Sequence, residues 1–144
     1  MPEFAFDIVK QISVDLPNEP GSFAKLAEAL ASANVLIQGI SVEAGYSVSR
    51  VHFVVDAGHI ESAARVLAEQ GEHESMKEIL AVTILERKYG QIARIARILA
   101  DAGINIDAIY LTSAAEGTKP TIYISATRES AQDVLARLES ALSK

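Results

Sequence analysis

Gly21-Ser-Phe-Ala-Lys-Leu-Ala-Glu-Ala-Leu-Ala-Ser-Ala-Asn-Val-Leu-Ile37 and Gly90-Gln-Ile-Ala-Arg-Ile-Ala-Arg-Ile-Leu-Ala-Asp-Ala-Gly-Ile-Asn-Ile106 are one stretch written twice. Each opens on glycine, carries apolar side chains at helical spacing, and closes on a residue that tolerates positive φ, Asn34 or Gly103. A second pair follows: Glu61-Ser-Ala-Ala-Arg-Val-Leu-Ala returns as Glu129-Ser-Ala-Gln-Asp-Val-Leu-Ala. A duplicated unit predicts two pseudo-symmetric modules, with binding where equivalent loops approach each other.

Working outward, Gln11 to Leu16 alternates, with Ile12, Val14 and Leu16 on one face, as a half-buried strand does. Pro17-Asn-Glu-Pro-Gly21 breaks it, because proline cannot serve the ladder and Asn and Gly favour turns. Phe23, Leu26, Ala27 and Leu30 set the inner face of a helix from Gly21 to Ala33, with Phe23 and Leu26 expected in the core. Val35 to Ala44 reads as a strand bulged near Gly39, Gly45 as a turn, and Arg50 to Asp56 as the partner strand. Ala63, Val66 and Leu67 mark a second helix ended by Gly71. The second copy repeats the order: strand Ile79–Leu85, helix Gly90–Ala102, strand Asn105–Ser113, a Glu116-Gly117 turn, strand Thr121–Ala126, helix Glu129–Leu142.

These orders predict an α+β protein: a ferredoxin-like βαββαβ antiparallel sheet with helices on one face, duplicated in tandem. Residues 1–78 form the expected first module and 79–144 the second. His73 to Glu78 supplies the last strand of the first; no equivalent follows Leu142, so the second is expected to lack its own. Glu3 to Ile8 also alternates, through Phe4, Phe6 and Ile8, and is the candidate to fill that place. An edge left open there would invite pairing with another chain, which predicts a homodimer.

Composition removes several classes of function. A formal charge of −6 repels phosphate backbones, and aromatics at 6% leave few rings for bases to stack on, so nucleic acid is not expected. The basic residues at Arg87-Lys88, Arg94 and Arg97 are read as a solvated helix face. The absence of cysteine excludes disulfides, thiol nucleophiles and thiolate metal sites, and fits a cytoplasmic location. Met-Pro-Glu-Phe-Ala-Phe-Asp lacks a basic region followed by an apolar stretch, so no signal peptide is expected. Every apolar run is far shorter than a bilayer requires, so no membrane association is expected.

The turn into each first helix resembles the ACT domain, a small regulatory module that senses amino acids. The family's pattern is a polar residue, Pro-Gly, a Leu- and Ala-rich helix, then Gly-Ile-Asn-Ile. The first copy keeps Asn18-Glu19-Pro20-Gly21-Ser22-Phe23 but has Asn34-Val35-Leu36-Ile37; the second has Arg87-Lys88-Tyr89-Gly90-Gln91-Ile92 and keeps Gly103-Ile104-Asn105-Ile106. The resemblance implies a regulatory protein binding a small molecule, usually an amino acid, at an interface between ACT modules. A helix start offers unpaired amides and partial positive charge, so a carboxylate would dock on Gly21, Ser22 and Phe23 beside Pro20. Asn18, or Leu36 and Gln38, would supply oxygens for the ligand's ammonium. Gly90, Gln91 and Ile92 would play the amide role in the second copy, where Tyr89 replaces proline; the first loop is favoured.

Enzymatic signals are missing. His52, His59 and His73 lack helical zinc-site spacing, with His52 placed on an exposed strand face, and no metal is expected. There is no Gly-x-Ser-x-Gly elbow and no phosphate-cradling glycine loop, and no cofactor is expected. The expectation is a non-catalytic sensor; the alternative is an interaction subunit that docks on a partner enzyme without a ligand of its own.

Overall fold

The computed structural model describes residues 2–112 and 119–143, so the expected Glu116-Gly117 turn lies outside the described residues. Contacts divide the chain into one unit of residues 10–77 and another of residues 1–9 with 78–144. The repeat divides it at 78/79 instead, and the two divisions differ chiefly over residues 1–9. The division falls within β1 (Phe4–Pro17) and within β4 (Glu74–Ile84).

The unit of residues 10–77 holds the end of β1, α1 (Ser22–Ser32), β2 (Ile37–Ala44), β3 (Val48–Val55), a 3-10 turn (Ala57–His59), α2 (Ile60–Glu69) and the start of β4. Its antiparallel strands lie in the order β2-β3-β1-β4, the ferredoxin-like arrangement. The alternation in β1 buries Ile12, Val14 and Leu16, which pack with Leu26 and Leu30 of α1, Phe53 of β3 and Leu67 of α2. Asn34 stands at φ 60 after α1, and the β2–β3 register shifts between Ile37 and Gly39, as the sequence predicts. Phe23 departs from expectation. It is 37% exposed on the first turn of α1, while Leu26 is 3% exposed and Leu30 1%, so the buried face of the helix begins one turn later.

The other unit pairs the rest of β4 with α3 (Gln91–Asp101), β5 (Ile106–Thr112), β6 (Thr121–Ala126) and α4 (Ala131–Leu142). Its strand order is β1-β4-β6-β5, with the opening of β1 in the place of the absent last strand. The Glu3 carbonyl accepts from the amides of Leu85 (2.9 Å) and Glu86 (3.3 Å). Phe4 is buried in a core with Val82, Ile95, Leu99, Ile124 and Leu138, and Phe6 and Ile8 pack against it. The strand expected from Phe4, Phe6 and Ile8 is therefore formed, and the edge on which dimerisation was expected is occupied. The terminal strands are β2 in one unit and β5 in the other. Both carry exposed apolar side chains at equivalent repeat positions, Ile40 and Val42 on β2, Ile109 and Leu111 on β5.

Candidate functional site

Each first helix starts from a glycine in the left-handed region, Gly21 at φ 90 and Gly90 at φ 85. Neither start is capped by a side chain, whereas the Ser130 hydroxyl accepts from the Asp133 amide at the start of α4. Open space surrounds the position a Cβ would take on either glycine. The two loops share this backbone and differ in everything attached to it.

In the first loop, side chains and backbone close on themselves. The Asn18 amide donates to the Ser47 carbonyl at 3.0 Å, and its Nδ2 donates to the Gly45 carbonyl at 2.9 Å. Its Oδ1 accepts from the Ser49 hydroxyl at 3.2 Å. Both ends of the Asn18 side chain are thus engaged with the β2–β3 turn. The Ser22 amide donates to the Glu19 carbonyl at 3.3 Å, which leaves Gly21 and Phe23 with amides that reach no protein oxygen among the described residues. Pro20 is exposed.

Within the unit, the structure does not bring Leu36 and Gln38 to this loop. Pro17 pairs with Val48 at one end of β3 and Ile37 with Val55 at the other. The length of β3, about 23 Å at about 3.3 Å per residue, separates them. α1 carries the chain from one end of the unit to the other, so the start of β2 lies beyond its C-terminus. Leu36 is exposed there, and Gln38 donates to Asp56.

The second loop is open. A cavity of about 680 Å³ is lined by Ile84, Arg87, Lys88, Tyr89, Gly90, Gln91, Ile92, Ala93 and Pro120. The amides of Gly90, Gln91 and Ile92 donate to no protein oxygen among the described residues. Gln91 is buried, and its Nε2 donates to the Glu86 carbonyl at 2.9 Å. Three of the predicted residues therefore come together here, although the sequence favoured the other loop. Ile84, Arg87, Lys88, Tyr89, Ala93 and Pro120 were missed. The available signal was the exchange of Asn18-Glu19 for Arg87-Lys88, two basic residues at a helix start.

One ion-pair cluster stands behind this loop. Glu3 takes Lys88 Nζ at 3.1 Å and an Arg94 guanidinium nitrogen at 2.6 Å, and Lys88 also reaches Glu86 at 3.2 Å. The hydrogen bond from Arg94, then that from Lys88, holds the Glu3 carboxyl at about 2 instead of its ordinary 4.5. Arg87 forms no ion pair among the described residues.

Elsewhere, His52 is half-buried on β3 with its Nδ1 2.6 Å from the Ser13 hydroxyl, not the free surface residue expected. Among the described residues no group of His, Cys, Asp and Glu is arranged to hold a metal ion, and no helix is long and apolar enough to cross a membrane. Tyr110 and Tyr123 stack at 5.2 Å between ring centroids, and burial, then the neighbouring Tyr123, pushes the Tyr110 phenol upward.

Residues 83–143 match the ACT domain family. No curated protein shows a significant sequence match to the chain. Among solved structures, a protein from Bacteroides thetaiotaomicron is similar at TM-score 0.77 and 16% identity, over 93% of this chain and 88% of that one. The ligand-free regulatory subunit of aspartate kinase from Thermus thermophilus is similar at TM-score 0.69 and 21% identity, over 94% and 92%. The regulatory subunit of aspartate kinase from Thermus flavus gives TM-score 0.69 and 24% identity, over 98% and 97%. Likeness at such identities establishes the fold, a tandem pair of ferredoxin-like units.

Proposed function

We propose, from a chain whose residues 83–143 are an ACT domain and whose residues 10–77 repeat its fold, that this protein is a non-catalytic regulator whose ligand is an amino acid. The observation that carries the proposal is the cavity at the start of α3, where three free amides and a close-approach glycine line a space large enough for such a ligand. The α-carboxylate docks on Gly90, Gln91 and Ile92 at the positive end of the helix. Pro20, Gly21, Ser22 and Phe23 form a second, weaker site of the same kind, since Ser22 and Asn18 already have partners.

Calorimetric titration with the twenty amino acids tests this. Binding of at least one at millimolar concentration or tighter is expected, and indifference to all of them would contradict it. The ligand acts only through its differential affinity for two states of the protein. The protein works as a homodimer in the cytoplasm. Support for the dimer comes from Ile40, Val42, Ile109 and Leu111, exposed on the terminal strands of both units. Sedimentation should give a dimer that Ile109→Asp with Leu111→Asp, or Ile40→Asp with Val42→Asp, converts to monomer.

The alternative is a subunit that docks on a partner enzyme. It is favoured by the likeness to proteins described as regulatory subunits of aspartate kinase. A co-purifying enzyme together with indifference to amino acids would select it.

A further inference from the structure

We infer that the ligand held at the start of α3 carries a second negative charge, as an acidic amino acid does, and that Arg87 is the residue that selects it. The inference rests on the ligand-binding reading above and names the class of ligand.

Four observations lead to it. Both charged residues lining the cavity are basic, Arg87 and Lys88, and no acidic residue lines it among the described residues. Their charges are not equivalent. Lys88 is neutralised by Glu3 at 3.1 Å and Glu86 at 3.2 Å, whereas Arg87 meets no carboxylate among the described residues. The field in the cavity therefore comes from the α3 start and from one uncompensated guanidinium, two centres that each favour an anion. A ligand with a single carboxylate satisfies one of them.

Gln91 supplies the independent observation. The side chain is 5% exposed and lines the cavity. Its Nε2 is held by the Glu86 carbonyl, which fixes the amide, while Oε1 accepts no hydrogen bond among the described residues. That oxygen is left as an acceptor for a ligand donor. An ammonium group is such a donor, and it is what an amino acid presents beside its α-carboxylate. Ile84, Ile92 and Pro120 offer apolar walls for the methylenes between the two charged ends. A basic side chain in the same place would meet Arg87 with like charge, and a neutral one would leave the guanidinium unmatched.

The test compares ligands that differ in charge and hardly in shape. The intact protein is titrated calorimetrically with L-glutamate against L-glutamine, L-aspartate against L-asparagine, and L-lysine. The carboxylate member of one pair is expected to bind tighter than its amide by about tenfold, the scale of one charge-assisted hydrogen bond. Arg87→Gln should abolish that preference without altering the melting temperature, and Arg87→Lys should retain part of it. An amide or lysine binding as well as the acids would overturn the inference and leave the amino-acid reading standing. Binding of no amino acid at all would overturn both.

Discussion

The loop from Pro17 to Phe23 and the loop from Glu86 to Ile92 start equivalent helices from equivalent glycines, yet one is closed by its own hydrogen bonds and the other holds a cavity. Asn18 is the cause of the difference on the first side. A short amide side chain after a strand reaches the adjacent hairpin, and here it ties to Gly45 and Ser49 while its backbone ties to Ser47. Arg87, at the equivalent position of the repeat, has a longer side chain with donors and no acceptor, so it cannot reproduce the paired bonds of Asn18, and it lines the cavity. Ser22 and Gln91 extend the contrast. The serine is small and its amide is turned to Glu19, while the glutamine is buried and reaches back to Glu86, leaving the helix amides open. A duplicated backbone thus supplies two possible sites, and side chains decide which is available.

Four measurements break or sharpen that comparison. The largest effect lies in what the two units share. Leu30 and Leu99 occupy equivalent, fully buried positions, so Leu30→Ala and Leu99→Ala should each cost about 3 kcal/mol in denaturant unfolding. A cost under about 1 kcal/mol for one alone would deny that the units are built alike.

Next come the glycines. Gly21→Ala and Gly90→Ala should each cost about 1 kcal/mol or somewhat more, because the left-handed backbone and not crowding is what a Cβ opposes. Unequal costs would mean that the two loops differ in backbone as well as in side chains. Ligand affinity should fall more for the Gly90 variant than for the Gly21 variant.

A smaller effect separates the loops. Asn18→Ala should cost about 1 kcal/mol through its lost hydrogen bonds, while Arg87→Ala should change stability by less than about 0.5 kcal/mol. Equal costs would remove the distinction between a closed loop and an open one.

The smallest effect is electrostatic. Glu3 has a folded-state pKa of about 2 against an ordinary 4.5, so its contribution is present above pH 4.5 and is lost as pH falls toward 2. Glu3→Gln should flatten that part of the acid-stability profile, and added salt should weaken the effect, because the pair is solvent-accessible. An unchanged profile would show that Arg94 and Lys88 do not hold the opening of β1 through this carboxylate.

Much of this architecture was legible in the sequence, for identifiable reasons. The repeat and its two periodicities revealed α1, β2, β3, α3 and β6 and their pairing, because alternation and helical spacing are properties of the chain itself. Alternation through Phe4, Phe6 and Ile8 announced a strand beside β4, although only the folded chain shows Glu3 bonded to Leu85. What the sequence did not disclose depends on distance across the fold. Leu36 and Gln38 were expected to face the helix start as second-strand residues, but within the unit the helix delivers the chain to the opposite end of the sheet. Asn18 was expected to offer its oxygen to a ligand, and the partners that engage it instead come from a hairpin far along the chain. Arg87 and Lys88 looked alike in composition, and only the ion pairs with Glu3 and Glu86 separate them.

The most direct test of the account is nitrogen-15 NMR mapping of backbone amides during titration with the amino acid that binds. Shifts that begin at Gly90, Gln91 and Ile92 and reach Gly21 only at higher ligand concentration are the expected result. Shifts confined to the Gly21 loop, or spread elsewhere with the start of α3 silent, would contradict it.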